Sequence, residues 1–270
     1  MNGWIYHHDL DPVLVHLGPL RIGWYGLMYA LAFLIFYWGM SRAARKPDAL
    51  VSQDDVPNLL TYIILGVIVG GRLGWVLFYG GPQYFFEPWR ILETWKGGMS
   101  FHGGMLGVAV AVWYFCRRRD LSIIDLTDFG AIWVPVGLGL GRIGNFINGE
   151  LYGKPTDGTW GVIFPGDPNR LPRHPSQLYE AFLEGVVIFT AMWIAKRVAP
   201  WRGMQPALFF FLYGLSRILV ELVRLPDPQL GYLLFGFITM GQILSLPMLL
   251  GGLIWIGWIV VNGLVKTAAG

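Results

Sequence analysis

The chain has few charged residues and a single cysteine, and each of these facts excludes some classes of protein. Only 14% of its 270 residues are Asp, Glu, Lys or Arg, against about 25% in a soluble globular domain. Hydrophobic residues make up 54%, and the mean hydropathy is +0.50. The single cysteine, Cys116, excludes an intramolecular disulfide framework and a thiolate metal cage. The composition therefore predicts an integral membrane protein.

Several common sequence signatures are also missing. The net charge of +3 comes without a basic stripe interleaved with aromatics, so no nucleic-acid partner is expected. The first twenty residues lack a basic start and a compact apolar core, so no cleavable signal peptide is expected. Gly139, Gly141 and Gly144 match G-x-G-x-x-G. They end an apolar segment instead of following a strand, so we do not interpret them as a dinucleotide site.

Long apolar segments are what the chain has in abundance. Seven of them approach the length that a bilayer core of about 30 Å requires. They cover residues 22–40, 59–79, 99–116, 126–142, 178–195, 206–224 and 237–261. The sequence thus predicts an all-α, polytopic membrane protein with seven transmembrane helices in a single domain, 1–270.

Lys and Arg predict the orientation of these spans. Ten of the twenty basic residues follow the first, third, fifth and seventh spans, so these ends are cytoplasmic by the positive-inside rule. The amino terminus then lies outside and the carboxyl terminus in the cytoplasm. The external side also includes the loops at 80–98, 144–176 and 225–236.

The amino-terminal segment, residues 1–20, is predicted to lie at the membrane interface and not to span it, because polar and apolar residues alternate there irregularly. The adjacent His7, His8 and Asp9 cannot converge on one ion from a helix, so no metal site is expected. Glycines four residues apart in the second and third spans indicate close helix packing. They are Gly66, Gly70 and Gly74, and Gly103 and Gly107.

A polar stripe runs along the sixth span. Tyr213, Arg217, Glu221 and Arg224 fall within an arc of about 80° on one helix face. One interpretation is an Arg217–Glu221 ion pair that holds helices together. The other is an anionic ligand, which the excess of two arginines over one glutamate favours.

Arginines on three different spans point to a phosphate. Arg72, Arg142 and Arg217 are predicted in the outer half of the bilayer, where a phospholipid head group is the most available anion. A lone arginine would more often be a snorkelling anchor. Three forked guanidiniums at one depth would instead match the oxygens of a phosphate.

Other polar residues near the external surface are candidates for proton transfer. His102, beside two glycines, is a plausible general base or phosphate donor, while Tyr25 could be an interfacial aromatic. His174, Ser176 and Glu180 suit the start of a helix after Pro175 better than a hydrolytic triad. Cys116 is expected at the cytoplasmic end of its span, so we predict that it is not the nucleophile.

Residues 141–153, which read GRIGNFINGELYG, resemble the characteristic motif of the bacterial phosphatidylglycerol:prolipoprotein diacylglyceryl transferases. Tyr25, the FHGG segment at His102 and the GLSR segment ending at Arg217 are similar to its other motifs. The resemblance covers essentially the whole chain. It places the family's functional positions on Tyr25, His102, Arg142, Asn145, Asn148, Glu150, Gly153 and Arg217.

The resemblance implies a function. The diacylglyceryl group of phosphatidylglycerol would pass to the thiol of a lipobox cysteine in a prolipoprotein signal peptide, and glycerol phosphate would be released. Besides these partners and membrane lipids, no metal or organic cofactor is implied. The enzyme would lie in the bacterial cytoplasmic (inner) membrane, with its site toward the outer leaflet.

Roles for individual residues combine the resemblance with their chemistry. His102 would be the base or phosphate donor, with Tyr25 as its rival, while Arg142 and Arg217 would hold the phosphate. Tyr213, Glu221 and Arg72 join the predicted binding residues. Asn145, Asn148 and Glu150 would orient the head group or position the arginines. A transporter or channel for an anionic solute, and a lipid-binding scaffold without chemistry, remain the alternatives.

Overall fold

The computed structural model describes residues 3–18, 20–81, 83–94, 97–226, 233 and 236–268. The chain is mostly helical, in agreement with the predicted fold class. It forms two compact units, one within residues 1–36 and 130–270 and the other within residues 37–129. The single membrane domain stays a prediction. The predicted outer loop at 225–236 lies mostly outside the described residues.

All seven predicted apolar segments are helical over most of their length. The α-helices are α1 (Trp24–Ala43), α2 (Asp55–Tyr79), α3 (Gln83–Phe86), α4 (Phe101–Arg119), α5 (Ile123–Gly130), α6 (Val134–Ile147), α7 (Ser176–Glu180), α8 (Ile188–Val198), α9 (Met204–Glu221) and α10 (Met240–Ala268). Short 3-10 helices cover Pro88–Leu92 and Ala131–Trp133, and a π-helical segment, Ala181–Val187, joins α7 to α8. The strands are β1 (Trp4–His7), β2 (Val13–Leu17), β3 (Leu20–Gly23) and β4 (Trp160–Ile163).

Within the described residues, five helical stretches are long and apolar enough to cross a membrane. They are Trp24–Ala43, Asp55–Phe78, Ile123–Ile147, Ser176–Val198 and Met240–Gly263. These stretches indicate a multi-pass membrane protein. The predicted third and sixth spans, α4 and α9, have 19 and 18 residues and fall outside this set, and each carries charged side chains. The count of seven spans and the orientation therefore stay predictions.

The second unit is built on a close crossing of α2 and α4. A Cβ atom on Gly66 would lie 2.7 Å from the carbonyl oxygen of Gly107, and one on Gly74 would lie 2.6 Å from Gly103 Cα. Such distances exclude any larger residue without movement of the backbone. The predicted packing role of these glycines is confirmed, as expected for helices that gain little from apolar burial in lipid.

The first unit holds the strands, which the sequence analysis missed. β1 pairs in parallel with β4, with Trp4 opposite Trp160, and β2 pairs antiparallel with β3. His8 is buried, and its Nε2 lies 2.7 Å from the carbonyl oxygen of Phe146. This contact ties the amino-terminal segment to the end of α6, so the segment is part of the folded unit.

The predicted outer loop at 144–176 has an ion pair of its own. Arg173 donates from Nε and Nη2 to the two oxygens of Asp167, at 2.7 and 2.8 Å, and both residues are buried. The Arg173 guanidinium also lies over the ring of Tyr152, which stacks on Phe164. These hydrogen bonds hold the pKa of Asp167 below its usual range. The loop is therefore a fixed structure around β4.

Candidate active site

The motif at 141–153 begins within the last turns of α6. Pro135 lies in the first turn of this helix, where the missing N–H of proline costs nothing. The helix ends at Asn148, whose N–H donates to the carbonyl of Gly144 at 3.0 Å. Gly149 follows with a φ of +68°, a left-handed conformation that glycine adopts at little cost. The chain turns at this point and brings Glu150 back to the helix end.

Glu150 is held by the two asparagines of the motif. Asn145 and Asn148 each donate from Nδ2 to Glu150 Oε1, at 3.0 and 3.1 Å. The main chain repeats this link, because Glu150 N–H donates to the Asn145 carbonyl at 3.1 Å. Gln177 donates to the Glu150 carbonyl at 2.6 Å. The predicted grouping of these three residues in one place is thus present.

Gly153 allows three segments of the chain to meet. Its N–H donates to the carbonyl of His174 at 2.9 Å, and it pairs with Arg224 in an antiparallel bridge. A Cβ at this position would lie 2.7 Å from the Val223 carbonyl oxygen and 2.8 Å from His174 Cβ. Glycine is therefore required here by close backbone approach, and Gly153 shapes the site without offering a side chain.

Arg142 projects from α6 toward two glutamates of the neighbouring helical segment. Its Nε lies 2.6 Å from Glu180 Oε2 and donates to Glu184 Oε2 at 3.1 Å. The two carboxylates are almost fully buried, while the Arg142 side chain is 16% exposed. Of the three side chains, that of Arg142 is therefore the one with exposed surface.

Arg217 meets the same two glutamates from α9. Its Nη1 lies 3.2 Å from Glu180 Oε1 and 4.0 Å from Glu184 Oε1. Its Nη2 lies 2.7 Å from Glu221 Oε1, so the Arg217–Glu221 ion pair considered from the sequence is present. The side chain is 13% exposed. Arg142 and Arg217, predicted to converge from separate helices, do converge.

Arg224 completes this group, which we call the arginine cluster. Its Nε lies 3.5 Å from Glu180 Oε1, and its Nη1 donates to Glu221 Oε1 at 3.3 Å. The other oxygen of Glu221 accepts from the Thr239 hydroxyl at 2.7 Å. Glu180 therefore contacts all three arginines. The cluster consists of Arg142, Arg217, Arg224, Glu180, Glu184 and Glu221.

The charge of the cluster corrects one inference from the sequence. The two arginines and one glutamate of the predicted sixth span suggest a positive excess. Three arginines and three glutamates give formal charges of +3 and −3, which sum to zero. The cluster has no excess of positive charge, because Glu180 and Glu184 come from another helical segment, outside the sixth span. An acid inside an apolar span must have a partner, so the pair could have been found from the sequence.

Two tyrosines lie beside the cluster. Tyr213, one turn before Arg217 on α9, interacts electrostatically with Glu184, Arg217 and Arg142. Tyr25 at the start of α1 interacts with Arg142 and Glu150, and its ring packs on Gly144, where a Cβ would lie 2.9 Å from the ring. Both predicted positions thus belong to the same region of the first unit.

Comparison with known proteins identifies the family of the chain. Residues 12–258 match the profile of the family described as prolipoprotein diacylglyceryl transferase. The chain belongs to the prolipoprotein diacylglyceryl transferase family.

Curated relatives share about half of the sequence across nearly the whole chain. The phosphatidylglycerol–prolipoprotein diacylglyceryl transferase of Pseudomonas fluorescens (strain SBW25) is 52% identical over 252 residues, which is 93% of each chain. Its namesake in Nitratidesulfovibrio vulgaris (strain DP4) is 51% identical over 245 residues, 90% of this chain and 92% of the relative. The motif at 141–153 and the arginine cluster both lie within the matched region of the diacylglyceryl transferase family.

Two other predicted positions of this family member lie in the second unit. Arg72 is 4% exposed and donates to the carbonyls of Arg90, Ile91, Gly97 and Gly98, at 2.6 to 3.2 Å. These hydrogen bonds use all three guanidinium nitrogens, so Arg72 has a structural role in holding these four carbonyl groups. Its role toward a phosphate stays a prediction that these contacts do not support.

His102 lies in the first turn of α4 and is exposed. Ser100 caps this helix, because its hydroxyl accepts from the Gly103 N–H at 3.2 Å. The cap fixes the backbone at His102 in the second unit. Its role as a base stays a prediction, as does the inert role of Cys116, which is 1% exposed in α4.

The remaining patterns of the diacylglyceryl transferase sequence have structural explanations. Ser176 donates to the Leu151 carbonyl at 3.1 Å, and His174 Nδ1 lies 3.3 Å from the Tyr179 hydroxyl, so neither forms a triad with Glu180. Gly139, the first glycine of the G-x-G-x-x-G pattern, packs against Gly185. A Cβ atom on Gly139 would lie 3.0 Å from the Gly185 Cα. Gly139 therefore serves helix packing, and Gly144 makes room for the ring of Tyr25.

Proposed function

We propose that this chain transfers the diacylglyceryl group of phosphatidylglycerol to the thiol of the lipobox cysteine in a prolipoprotein. Membership of the family, with curated relatives about 50% identical over more than 90% of the chain, supports this activity. The observation that supports this site is that Arg142 and Arg217 contact the same two carboxylates, those of Glu180 and Glu184.

The proposal includes the setting of the enzyme. With the seven predicted spans, an external amino terminus and a cytoplasmic carboxyl terminus, the arginine cluster would lie toward the outer leaflet of the bacterial inner membrane. The supporting observation is the concentration of Lys and Arg after alternate helices. The lipid substrate and the signal peptide would then both reach the site from within the bilayer.

The arginines would bind the phosphate of the lipid. Both carboxylates make their closest contact with Arg142 at Nε, and the fork formed by Nη1 and Nη2 is a different edge of the guanidinium. This fork matches two oxygens of a phosphate. Arg217, 13% exposed, directs Nη1 and Nη2 toward Glu180 and Glu221, so it would contribute its positive charge to the site. Tyr213 and Glu221 would fix the position of Arg217.

The reaction would form one bond and break one. The sulfur of the lipobox cysteine attacks the glyceryl carbon that carries the phosphate, and the carbon–oxygen bond breaks. Its electron pair stays on the oxygen of the departing glycerol phosphate, where Arg142 and Arg217 offset the growing charge. A free thiol has a pKa of about 8.5, so a base must accept its proton. His102 is the proposed base and Tyr25 the rival.

A transfer assay tests the function. Purified protein is incubated with phosphatidylglycerol labelled in its glyceryl backbone and with a lipobox peptide, and thioether-linked product is measured by mass spectrometry. A peptide with serine in place of cysteine is the control. Product from the cysteine peptide alone supports the proposal. Its absence, together with uptake of anions by vesicles that contain the protein, would favour the transporter instead.

The same assay separates the two candidate bases. His102→Gln and Tyr25→Phe are compared across pH 5.5–9.5. If His102 accepts the proton, the acidic limb of the wild-type rate profile is lost in His102→Gln and kept in Tyr25→Phe. The reverse result would assign the proton to Tyr25.

A further inference from the structure

We propose that Glu184 is a positioning residue, which holds Arg142 by Nε so that its two terminal nitrogens face the lipid phosphate. This inference rests on the proposed function and extends it to a residue outside the motif at 141–153. Glu184 lies 42 positions from Arg142 in the sequence, yet it accepts the Arg142 Nε–H at 3.1 Å.

A close helix crossing sets this contact. Gly139 on α6 and Gly185 on the π-helical segment meet so closely that a Cβ on Gly185 would lie 2.9 Å from Gly139 Cα. Arg142 comes three residues after Gly139, and Glu184 directly precedes Gly185. The absence of side chains at the crossing therefore brings the guanidinium and the carboxylate within hydrogen-bond distance.

The contacts of Glu184 are asymmetric. Its side chain is 0% exposed, and one oxygen, Oε2, accepts from Arg142. Among the described residues the other oxygen, Oε1, has no hydrogen-bond partner, and it lies 4.0 Å from Arg217 Nη1. A buried carboxylate with an unmade hydrogen bond reduces stability. Because Glu184 is hydrogen-bonded directly to Arg142 and lies farther from Arg217, we infer that it positions the Arg142 guanidinium.

The local backbone supports the same assignment. Glu184 is the central residue of the π-helical segment Ala181–Val187. Such segments are rare within α-helices and are frequent at functional sites. Glu180 contacts all three arginines and holds the cluster together. Within the described part of the chain Glu184 makes its hydrogen bond with Arg142 alone, so it can set the angle of one guanidinium.

A double-mutant cycle tests the positioning role. Glu184→Gln keeps the size of the side chain and an oxygen that can accept from Arg142, but it removes the charge that strengthens this hydrogen bond, and we expect kcat/KM for phosphatidylglycerol to fall by about 10-fold. Because the effect passes through Arg142, the double variant with Arg142→Lys should lose little more than Arg142→Lys alone. Restoring charge with Glu184→Asp should recover part of the activity.

The matched control is Asp167→Asn, which makes the same change at the buried ion pair of the outer loop. Its effect should multiply with that of Arg142→Lys. Multiplicative losses for Glu184→Gln as well, or an unchanged kcat/KM, would overturn the positioning role. If Glu184→Gln does not fold, the cycle is measured with Glu184→Asp under the same two criteria. Wild-type protein without any transfer would refute the proposed function itself.

Discussion

Replacement of Arg142 by lysine is the sharpest test of the phosphate site. Lysine keeps the positive charge but has one nitrogen. In the structure Arg142 Nε is occupied by Glu180 and Glu184, at 2.6 and 3.1 Å, so only the terminal nitrogens are available for the lipid. A lysine donates from a single nitrogen, so it cannot hold the carboxylates at one edge and present a separate fork of two nitrogens to the phosphate oxygens.

The expected loss follows from this count of donors. One charge-assisted hydrogen bond is worth about 1.5 to 3 kcal/mol, which corresponds to about 10- to 150-fold in kcat/KM. The measurement is the rate of thioether formation at several concentrations of phosphatidylglycerol in mixed micelles. Binding of the phosphate in the ground state predicts a higher KM, and stabilisation of the leaving group predicts a lower kcat.

Arg173→Lys is the matched control for Arg142→Lys. Arg173 also forms a two-pronged ion pair, with Asp167, but in the outer loop. We expect this variant to unfold at a lower temperature and to keep kcat/KM close to that of the wild type. If Arg142→Lys transfers lipid as fast as the wild type, or if both variants lose the same activity, the reasoning about Arg142 is wrong.

Three further predictions concern stability and the nucleophile. Gly153→Ala should cost about 1 to 3 kcal/mol of unfolding free energy through overpacking, seen as a lower melting temperature in detergent. The Asp167–Arg173 pair should stabilise the loop at pH values above the ordinary pKa of a carboxyl group. This stabilisation should be lost as the pH falls through the lowered pKa of Asp167 in the folded protein. Cys116→Ser should transfer lipid at the wild-type rate, as the labelled assay measures.

Each of these predictions has a control or a contrary result. Gly141→Ala changes the same motif, but an added Cβ there meets nothing within 4 Å, so its melting temperature should stay near that of the wild type. Asp167→Asn should abolish the acid-dependent loss of stability in the loop, followed by hydrogen exchange. Complete loss of transfer in Cys116→Ser would contradict the assignment of the nucleophile to the partner protein.

The helices could be predicted because their signals are local. Apolar segments at 22–40 and 59–79 correspond to α1 and α2, since membrane burial requires apolar residues along the whole length of a helix. The pairing of β1 with β4 could not be found in this way. Trp4 and Trp160 are opposite each other but far apart in the chain, and strands of four residues leave no clear periodicity.

The candidate site was predicted in part for the same reason. The motif at 141–153 is contiguous, and the polar stripe on α9 repeats at helical spacing, so both appear in the sequence. The partners of Arg142, Glu180 and Glu184, are 38 and 42 residues away. A glutamate in an apolar span indicates that it has a partner but not which arginine that partner is. Glu180 was interpreted as part of a helix start, whereas it contacts every arginine of the cluster.

The neutral arginine cluster also has a consequence for the way the protein is inserted during synthesis. Of the cluster residues, α6 contributes one positive charge, Arg142, and the next helical segment two negative charges, Glu180 and Glu184, so this part of the cluster sums to −1 until more of the chain emerges. α9 and the turn after it add Arg217, Glu221 and Arg224, a net +1. The last uncompensated charge is therefore neutralised only when α9 docks. Lateral release from the translocon would favour the correct neighbour by electrostatics before packing is complete.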